Sequence, residues 1–118
     1  QHQPNLHSSP LVIQAQQNLA VIETQTEQFA RIFAGEFMKK STNDCTLDQA
    51  FMVYKFLFVA DKYFQLLSIV KNQDEIKAFY RNTLRLLHPD KNKHPDSAKT
   101  FQKVHNHYKL YTEKHKIQ

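Results

Sequence analysis

The sequence has very little glycine and cysteine: one residue of each among 118 residues, with four prolines and no tryptophan. One glycine excludes the glycine-rich loops that bind phosphate groups. One cysteine, Cys45, excludes an internal disulfide and any zinc site built on several cysteines, so we expect it to be a small, partly buried apolar residue or an incidental surface thiol. The strict alternation of apolar and polar residues that is typical of strands is nearly absent. These absences favour an all-α protein.

Long apolar runs are lacking as well. The most apolar stretch, residues 51–70, is interrupted by Lys55, Asp61 and Lys62, so we expect no membrane span. The first residues do not form a signal-peptide pattern, and we expect an intracellular location, in the cytoplasm. Because the chain begins with Gln1, we also expect it to be a piece of a longer protein.

Positive charge is concentrated in the second half of the chain. Residues 1–70 hold five Lys or Arg against six Asp or Glu, a net charge of −1. Residues 71–118 hold eleven Lys or Arg against five Asp or Glu, a net charge of +6, and the whole chain has a net charge of +5. A partner attracted by charge should therefore be acidic and should bind the C-terminal half.

The first half predicts one long helix. Residues 1–9 are polar and unpatterned, which predicts a disordered lead-in. A helix over 10–39 follows, with Ser9 as its N-cap and Pro10 in its first turn. Gly35 inside this helix predicts a kink or a close helix contact. The predicted buried stripe, at steps of three and four residues, is Leu11, Ala15, Leu19, Ile22, Thr26, Phe29, Phe33 and Phe37.

A second helix is predicted over 47–60. Thr46 and Gln49 have the spacing of a capping box at its start. Its predicted buried stripe is Leu47, Ala50, Phe51, Tyr54 and Phe58. The two helices form an extension over 10–60 that we expect to pack against the rest of the chain. The side chains expected at that contact are Phe29, Phe33, Phe51 and Phe58.

Three more helical segments are predicted in the second half. A short one covers 62–68, with Asp61 as its cap and with Tyr63, Phe64, Leu66 and Leu67 as its apolar residues. The next covers 73–87 and opens with a capping box of Asn72 and Glu75. Its predicted buried face is Ile76, Phe79, Tyr80, Thr83, Leu84 and Leu87.

Pro89 ends that helix, because the residue before a proline is restricted to extended geometry. Pro95 predicts the start of a last helix, with Ala98, Phe101, Val104, Tyr108 and Tyr111 as its buried stripe. The loop between the two helices contains His88, Pro89 and Asp90. The imidazole of His88 is a hydrogen-bond donor that can change its protonation, Pro89 fixes a kink in the backbone, and Asp90 offers a free carboxylate. This combination suits docking better than catalysis.

The helix before this loop has a basic face. Lys77, Arg81 and Arg85 lie four residues apart, with no acidic residue between Lys77 and the loop to offset their repulsion. A solvated face would explain an isolated basic run. Beside the loop, a surface for an acidic partner is the better interpretation, and arginine favours fork-like contacts with carboxylates.

These residues together resemble the J-domain of Hsp40 (DnaJ-type) co-chaperones. The resemblance covers residues 62–112 and rests on Tyr63 to Leu67, Glu75 to Lys77, Tyr80-Arg81, His88 to Asn92, and Phe101, Val104 and Tyr108. It implies that the helices at 73–87 and 95–111 form an antiparallel pair with the loop at its tip. We therefore assign residues 61–118 to a J-domain. The short basic helix that ends such domains is reduced here to residues 112–116.

The resemblance also implies a function. J-domains bind an Hsp70 in its ATP state and stimulate its ATPase, and they hydrolyse nothing themselves. Asp90 would accept an ion pair from an Hsp70 arginine, Pro89 would direct the loop, His88 would orient it by hydrogen bonding, and Lys91 would add a flanking contact. Asn92 would only shape the turn. The implied Hsp70-binding residues are His88, Pro89, Asp90, Lys91, Lys77, Arg81 and Arg85.

Other sites find little support in the sequence. His105 and His107 point to different sides of a helix, and His88 and His94 flank the loop, so we expect no metal and no cofactor. No catalytic triad or carboxylate pair is present, and we expect no enzyme. Two alternatives stay open: a basic helical module that binds nucleic acid, although nucleic acid is not the partner we expect, and a helical adaptor with an inactive J-like fold. The N-terminal helices would then hold a further protein. We expect a monomer.

Overall fold

The computed structural model of the protein describes residues 9–41 and 44–115. Within these two ranges the chain forms helices and no strands, so the predicted all-α fold is confirmed. Residues 1–8 of the predicted lead-in lie outside the described residues. No helix of the described part is long and apolar enough to cross a membrane. The helices are α1 (Pro10–Lys40), α2 (Leu47–Phe58), α3 (Asp61–Val70), α4 (Gln73–Leu87) and α5 (Ser97–His115).

Side-chain caps begin three helices at the predicted places. Ser9 Oγ accepts a hydrogen bond from the Val12 N–H at the start of α1. Thr46 with Gln49, and Asn72 with Glu75, form reciprocal capping boxes at the starts of α2 and α4. Each box satisfies N–H groups that a helix start otherwise leaves without partners.

Two predicted helix starts are wrong. Asp61 is the first residue of α3 rather than its cap, and the cap residue Ala60 provides no side-chain hydrogen bond. The last helix begins at Ser97 rather than at Pro95. Pro95 lies instead in a turn that is closed by a 3.0 Å hydrogen bond from the Ser97 N–H to the His94 carbonyl oxygen.

The buried face of α1 differs from the predicted stripe. Ala15, Leu19 and Thr26 are buried as predicted, but Leu11, Phe29 and Phe33 are exposed. The remaining buried positions are Val12, Ala30 and Ala34. Small alanines are buried here because they let the neighbouring helix approach closely, while the large aromatic side chains lie beside the contact. Gly35 makes no close contact, since a Cβ added there would meet nothing within 4 Å.

Two faces of α2 have different neighbours. Val53 and Phe56 are buried in the core, where Phe56 meets Phe79 of α4 at 6.0 Å between ring centroids. Tyr54 and Phe58 lie on the side of α1 and contact Phe33 at 5.7 and 4.8 Å. The predicted stripe of α2 was therefore wrong in part, because Leu47 and Phe58 are exposed and Val53 and Phe56 were omitted.

The extension and the rest of the chain share one hydrophobic core. Its buried residues come from all five helices and from the α2–α3 connection: Ala15, Leu19, Val53, Phe56, Val59, Tyr63, Phe64, Leu66, Leu67, Ile76, Tyr80, Leu87 and Val104. The predicted packing of the extension therefore exists, but through Leu19, Val53 and Phe56. Of the predicted contact residues, Phe29, Phe33 and Phe58 are exposed, and Phe51 packs against a different cluster. A smaller cluster of Ala34, Cys45 and Ala50 lies between α1 and α2.

Helices α4 and α5 form the predicted antiparallel pair. His88, just after α4, meets Phe101 near the start of α5 at 5.2 Å, and Tyr80 stacks on Tyr108 at 4.8 Å further along both helices. The loop at 88–96 therefore lies at the tip of the pair. Residues 112–115 continue α5, so up to His115 no separate fourth helix of the J-domain is present.

Candidate functional site

The loop after α4 is a compact turn. His88 has φ −62° and ψ 130°, the extended geometry that the following Pro89 imposes. The carbonyl oxygen of His88 then accepts hydrogen bonds from the N–H groups of Lys91, at 3.0 Å, and Asn92, at 2.8 Å. These bonds fold residues 88–92 back towards the end of α4.

His88 and Asp90 have distinct roles in this turn. The Asp90 N–H donates to His88 Nδ1 at 3.1 Å, so this nitrogen carries a lone pair and the proton of the neutral imidazole lies on Nε2. The Asp90 carboxylate is 3.7 Å from the same nitrogen, and in this tautomer that contact is not an ion pair. The Asp90 side chain is 88% exposed, and its carboxylate is available to a partner.

Four of the seven predicted site residues surround one open cavity of about 430 Å³. Arg85, His88, Asp90 and Lys91 provide its polar groups, and its apolar lining comes from Leu84 and Phe101. Pro89 lies in the same turn and is half-buried. A cavity with an apolar floor and charged groups at its edge suits an apolar side chain of a partner protein beside an ion pair.

The other two basic residues continue from this cavity along α4. Arg81 and Arg85 are exposed and Lys77 is half-buried. Within residues 9–41 and 44–115 no carboxylate pairs with any of the three, and Arg85 donates to the side chain of Asn82 at 3.0 Å. The basic stripe is therefore available to acidic groups of a partner.

The loop ends on a buried residue whose importance the sequence reasoning missed. Asn92 is 1% exposed. Its Nδ2 donates to the carbonyl oxygens of Leu86 and Gln49, both at 3.2 Å, and its Oδ1 accepts from the His94 N–H at 3.1 Å. Asn92 therefore joins the end of α4, the start of α2 and the last part of the loop. Nothing in the sequence around His88 to Asp90 indicates that the polar residue Asn92 is buried.

The tripeptide His-Pro-Asp occurs a second time, at His94-Pro95-Asp96, and this repeat was also missed. The local geometry is the same, because the Asp96 N–H donates to His94 Nδ1 at 2.9 Å. The surroundings are opposite: His94 is 4% exposed and packs against Phe37 and Tyr54, with ring centroids at 4.2 and 4.9 Å. The histidine of the second tripeptide is thus buried, while Pro95 is exposed and Asp96 is half-buried.

Burial lowers the pKa of His94, and the carboxylate of Asp96 opposes this shift. The neutral ring carries its proton on Nε2, since Nδ1 accepts a hydrogen bond. Nε2 is buried and has no hydrogen-bond partner among the described residues. A charged imidazolium is therefore disfavoured at this position.

His105 and His107 do not converge. His105 stacks on Phe101, while His107 stacks on Phe64 and lies 3.2 Å from the Asp61 carboxylate. The part of the chain that the structure describes contains no group of three or more potential metal ligands.

A nucleic-acid surface in the basic second half of the chain would be lined by Lys99, Lys103, Lys109, Arg81 and Tyr108, and two of these residues make contacts within the protein. Lys103 Nζ donates to the carbonyl oxygens of Leu57 and Val59, and Tyr108 stacks on Tyr80. Burial lowers the pKa of Lys103, and Asp61 opposes that shift. The ammonium group of Lys103 is therefore bound to the backbone of the protein itself.

Comparisons with known proteins agree with this geometry. The chaperone protein DnaJ of Oceanobacillus iheyensis is 41% identical over 56 residues, and that of Geobacillus kaustophilus is 38% identical over 56 residues. Each alignment covers 46% of this chain and 15% of the relative, so the chain matches only a small part of these proteins. No solved structure matches the chain with significance. The family profile described as DnaJ domain matches residues 54–118, more than half of the sequence, and the chain belongs to this family.

Proposed function

We propose that the chain is a J-domain co-chaperone. It docks on an Hsp70 in its ATP state through the loop at 88–91 and the basic stripe of α4, and it stimulates hydrolysis of ATP by the Hsp70. The chain itself supplies no catalytic group. In this proposal residues 61–118 are the J-domain and residues 10–60 are an extension, and the protein acts inside the cell as a monomer.

The exposed, unpaired carboxylate of Asp90 carries the proposal. The side chain is 88% exposed at the tip of the α4–α5 pair. The imidazole of His88 accepts a hydrogen bond from the backbone N–H of Asp90 itself. Arg85 is nearby, around the same cavity. A negative group with a positive group beside it fits an Hsp70 surface that presents an arginine next to acidic side chains, because such pairs fix the orientation of two proteins.

The effect on the Hsp70 follows from linkage. If the loop and stripe bind one conformation of the Hsp70 more tightly than the other, they shift its conformational equilibrium by that difference in affinity. The stimulation therefore needs no chemistry from the J-domain.

A single-turnover ATPase assay with the full chain and an Hsp70 tests the proposal. Asp90→Asn and His88→Gln should each reduce the stimulation at least about tenfold, since each removes a group that orients or forms the central contact. Asp96→Asn is the matched control, because it makes the same change in the second His-Pro-Asp tripeptide, whose histidine is buried. Full stimulation by a folded Asp90→Asn variant, or none by the wild type, would refute the proposal.

A further inference from the structure

The loop at 88–92 is held by a helix of the extension as well as by its own two helices. Gln49, in the first turn of α2, donates from Nε2 to the carbonyl oxygen of Lys91 at 3.1 Å. The backbone carbonyl oxygen of Gln49 accepts from Asn92 Nδ2 at 3.2 Å. Two consecutive loop residues are therefore bound to one residue of α2, more than forty positions earlier in the chain.

The orientation of the Gln49 amide follows from its other hydrogen bond. Its Oε1 accepts from the Thr46 N–H at 2.9 Å in the capping box of α2. The oxygen must face this donor, so Nε2 faces the carbonyl oxygen of Lys91. Gln49 thus caps its own helix and holds the loop with the two ends of a single amide group.

The position of this contact matters for docking. Lys91 directly follows Asp90, and the hydrogen bond from Gln49 holds the peptide unit between Lys91 and Asn92, one residue beyond the exposed aspartate. On the other side of the loop, Asn92 is tied to the Leu86 carbonyl oxygen near the end of α4. A loop that is ordered before binding loses less conformational entropy when a partner docks.

We propose that Gln49 is a positioning residue for the docking of Hsp70, and that the extension orders the loop through it. This inference rests on the proposed function. Gln49 acts through the backbone carbonyl of Lys91 and through the side chain of Asn92. The first turn of α2 therefore belongs to the docking site although it precedes the residues that resemble a J-domain.

The substitution Gln49→Glu isolates this role. A glutamate keeps the oxygen that accepts from Thr46 and suits the first turn of a helix, so α2 stays capped. It lacks the donor to Lys91 and places a carboxylate against a carbonyl oxygen. Gln49→Ala removes the same donor without adding charge. Gln28→Glu, on an exposed part of α1, is the matched control for charge.

Two measurements on the full chain test the inference. In the Hsp70 ATPase assay, Gln49→Glu and Gln49→Ala should raise the half-saturating concentration about three- to tenfold, as expected from one lost hydrogen bond, while maximal stimulation is kept. In the free chain, amide hydrogen exchange of residues 90–94 should become faster in Gln49→Glu, while that of α2 stays unchanged.

The outcomes separate the inference from the function on which it rests. A wild type that stimulates no Hsp70 overturns the proposed function, and the docking role of Gln49 with it. A wild type that stimulates, with unchanged half-saturation in both Gln49 variants, overturns the inference alone. Unchanged exchange of the loop in Gln49→Glu would equally show that Gln49 does not order it.

Discussion

Lys103 of α5 donates from its Nζ to the carbonyl oxygen of Val59 at 2.8 Å. The same ammonium group donates to the carbonyl oxygen of Leu57 at 3.0 Å. Leu57 and Val59 lie at the end of α2, where carbonyl groups have no partner within the helix. One side chain therefore caps the extension from the other part of the chain, at the end of α2 that lies away from the loop.

Replacing Lys103 should loosen this end of the molecule. Lys103→Met keeps most of the apolar stem but leaves two carbonyl groups without their donor, so we expect the free energy of unfolding to fall by about 1–3 kcal/mol. Urea denaturation measures the change. Lys109→Met, at an exposed position of the same helix, should change it by less than about 0.5 kcal/mol. Equal effects of the two substitutions would contradict the capping role.

Asn92 should matter for stability as well as for the loop. Asn92→Ala removes one side chain that serves two carbonyl groups and one N–H group at a buried position. We expect the free energy of unfolding to fall by about 2–3 kcal/mol, measured by urea denaturation. Asn106→Ala on the exposed side of α5 is the control. A loss for Asn92→Ala no larger than for the control would show that these hydrogen bonds contribute little.

The stability of the protein should depend on pH through His94. Its pKa in the folded protein is lower than the ordinary value of 6.5, so the unfolded chain binds a proton first as the pH falls. Stability is therefore fully present above about pH 6.5 and is lost as the pH falls from there towards the folded-state pKa.

Thermal or urea unfolding between pH 7.5 and about pH 5 measures this loss. His94→Phe keeps a ring against Phe37 and Tyr54 but cannot be protonated, and its stability should vary less over this range than that of the wild type. His105→Asn removes an imidazole from the partly exposed side of α5, and its stability should vary with pH as that of the wild type does. An unchanged slope in His94→Phe would assign the pH dependence to other groups.

The basic stripe of α4 should make docking sensitive to charge. Arg85→Glu reverses the charge at the cavity beside Asp90, and we expect the half-saturating concentration in the Hsp70 ATPase assay to rise at least about fivefold. Lys62→Glu on the exposed side of α3 is the control and should have little effect. Added salt should weaken docking of the wild type, because surface charges are screened. If Arg85→Glu docked as tightly as Lys62→Glu, the basic stripe would not contribute to docking.

The five helices, three of their starts and the end of α4 could be predicted from local chemistry. The capping boxes at Thr46 and Asn72, the N-cap Ser9 and the stop at Pro89 depend only on neighbouring residues, and all four lie at helix ends in the structure. The start of α5 was missed because Pro95 fits a helix start and also fits the turn that His94 closes.

The buried faces of α1 and α2 were harder to predict. Large apolar side chains suggested Phe29 and Phe33, yet Ala30 and Ala34 are the buried positions. Periodicity gives the repeat of a face but not its phase in a helix that has apolar residues on several sides. Only the packing partner decides which side is covered.

The sequence by itself determined an all-α chain, its capped helices and a His-Pro-Asp loop after a basic helix, because these follow from contacts within a few residues. Only the tertiary structure decided how differently the two identical tripeptides are placed. His88 and Asp90 are exposed, whereas His94 is enclosed by Phe37 and Tyr54. Both have the same local hydrogen bond, so the difference arises from helices distant in sequence, which bury one imidazole and leave the other accessible.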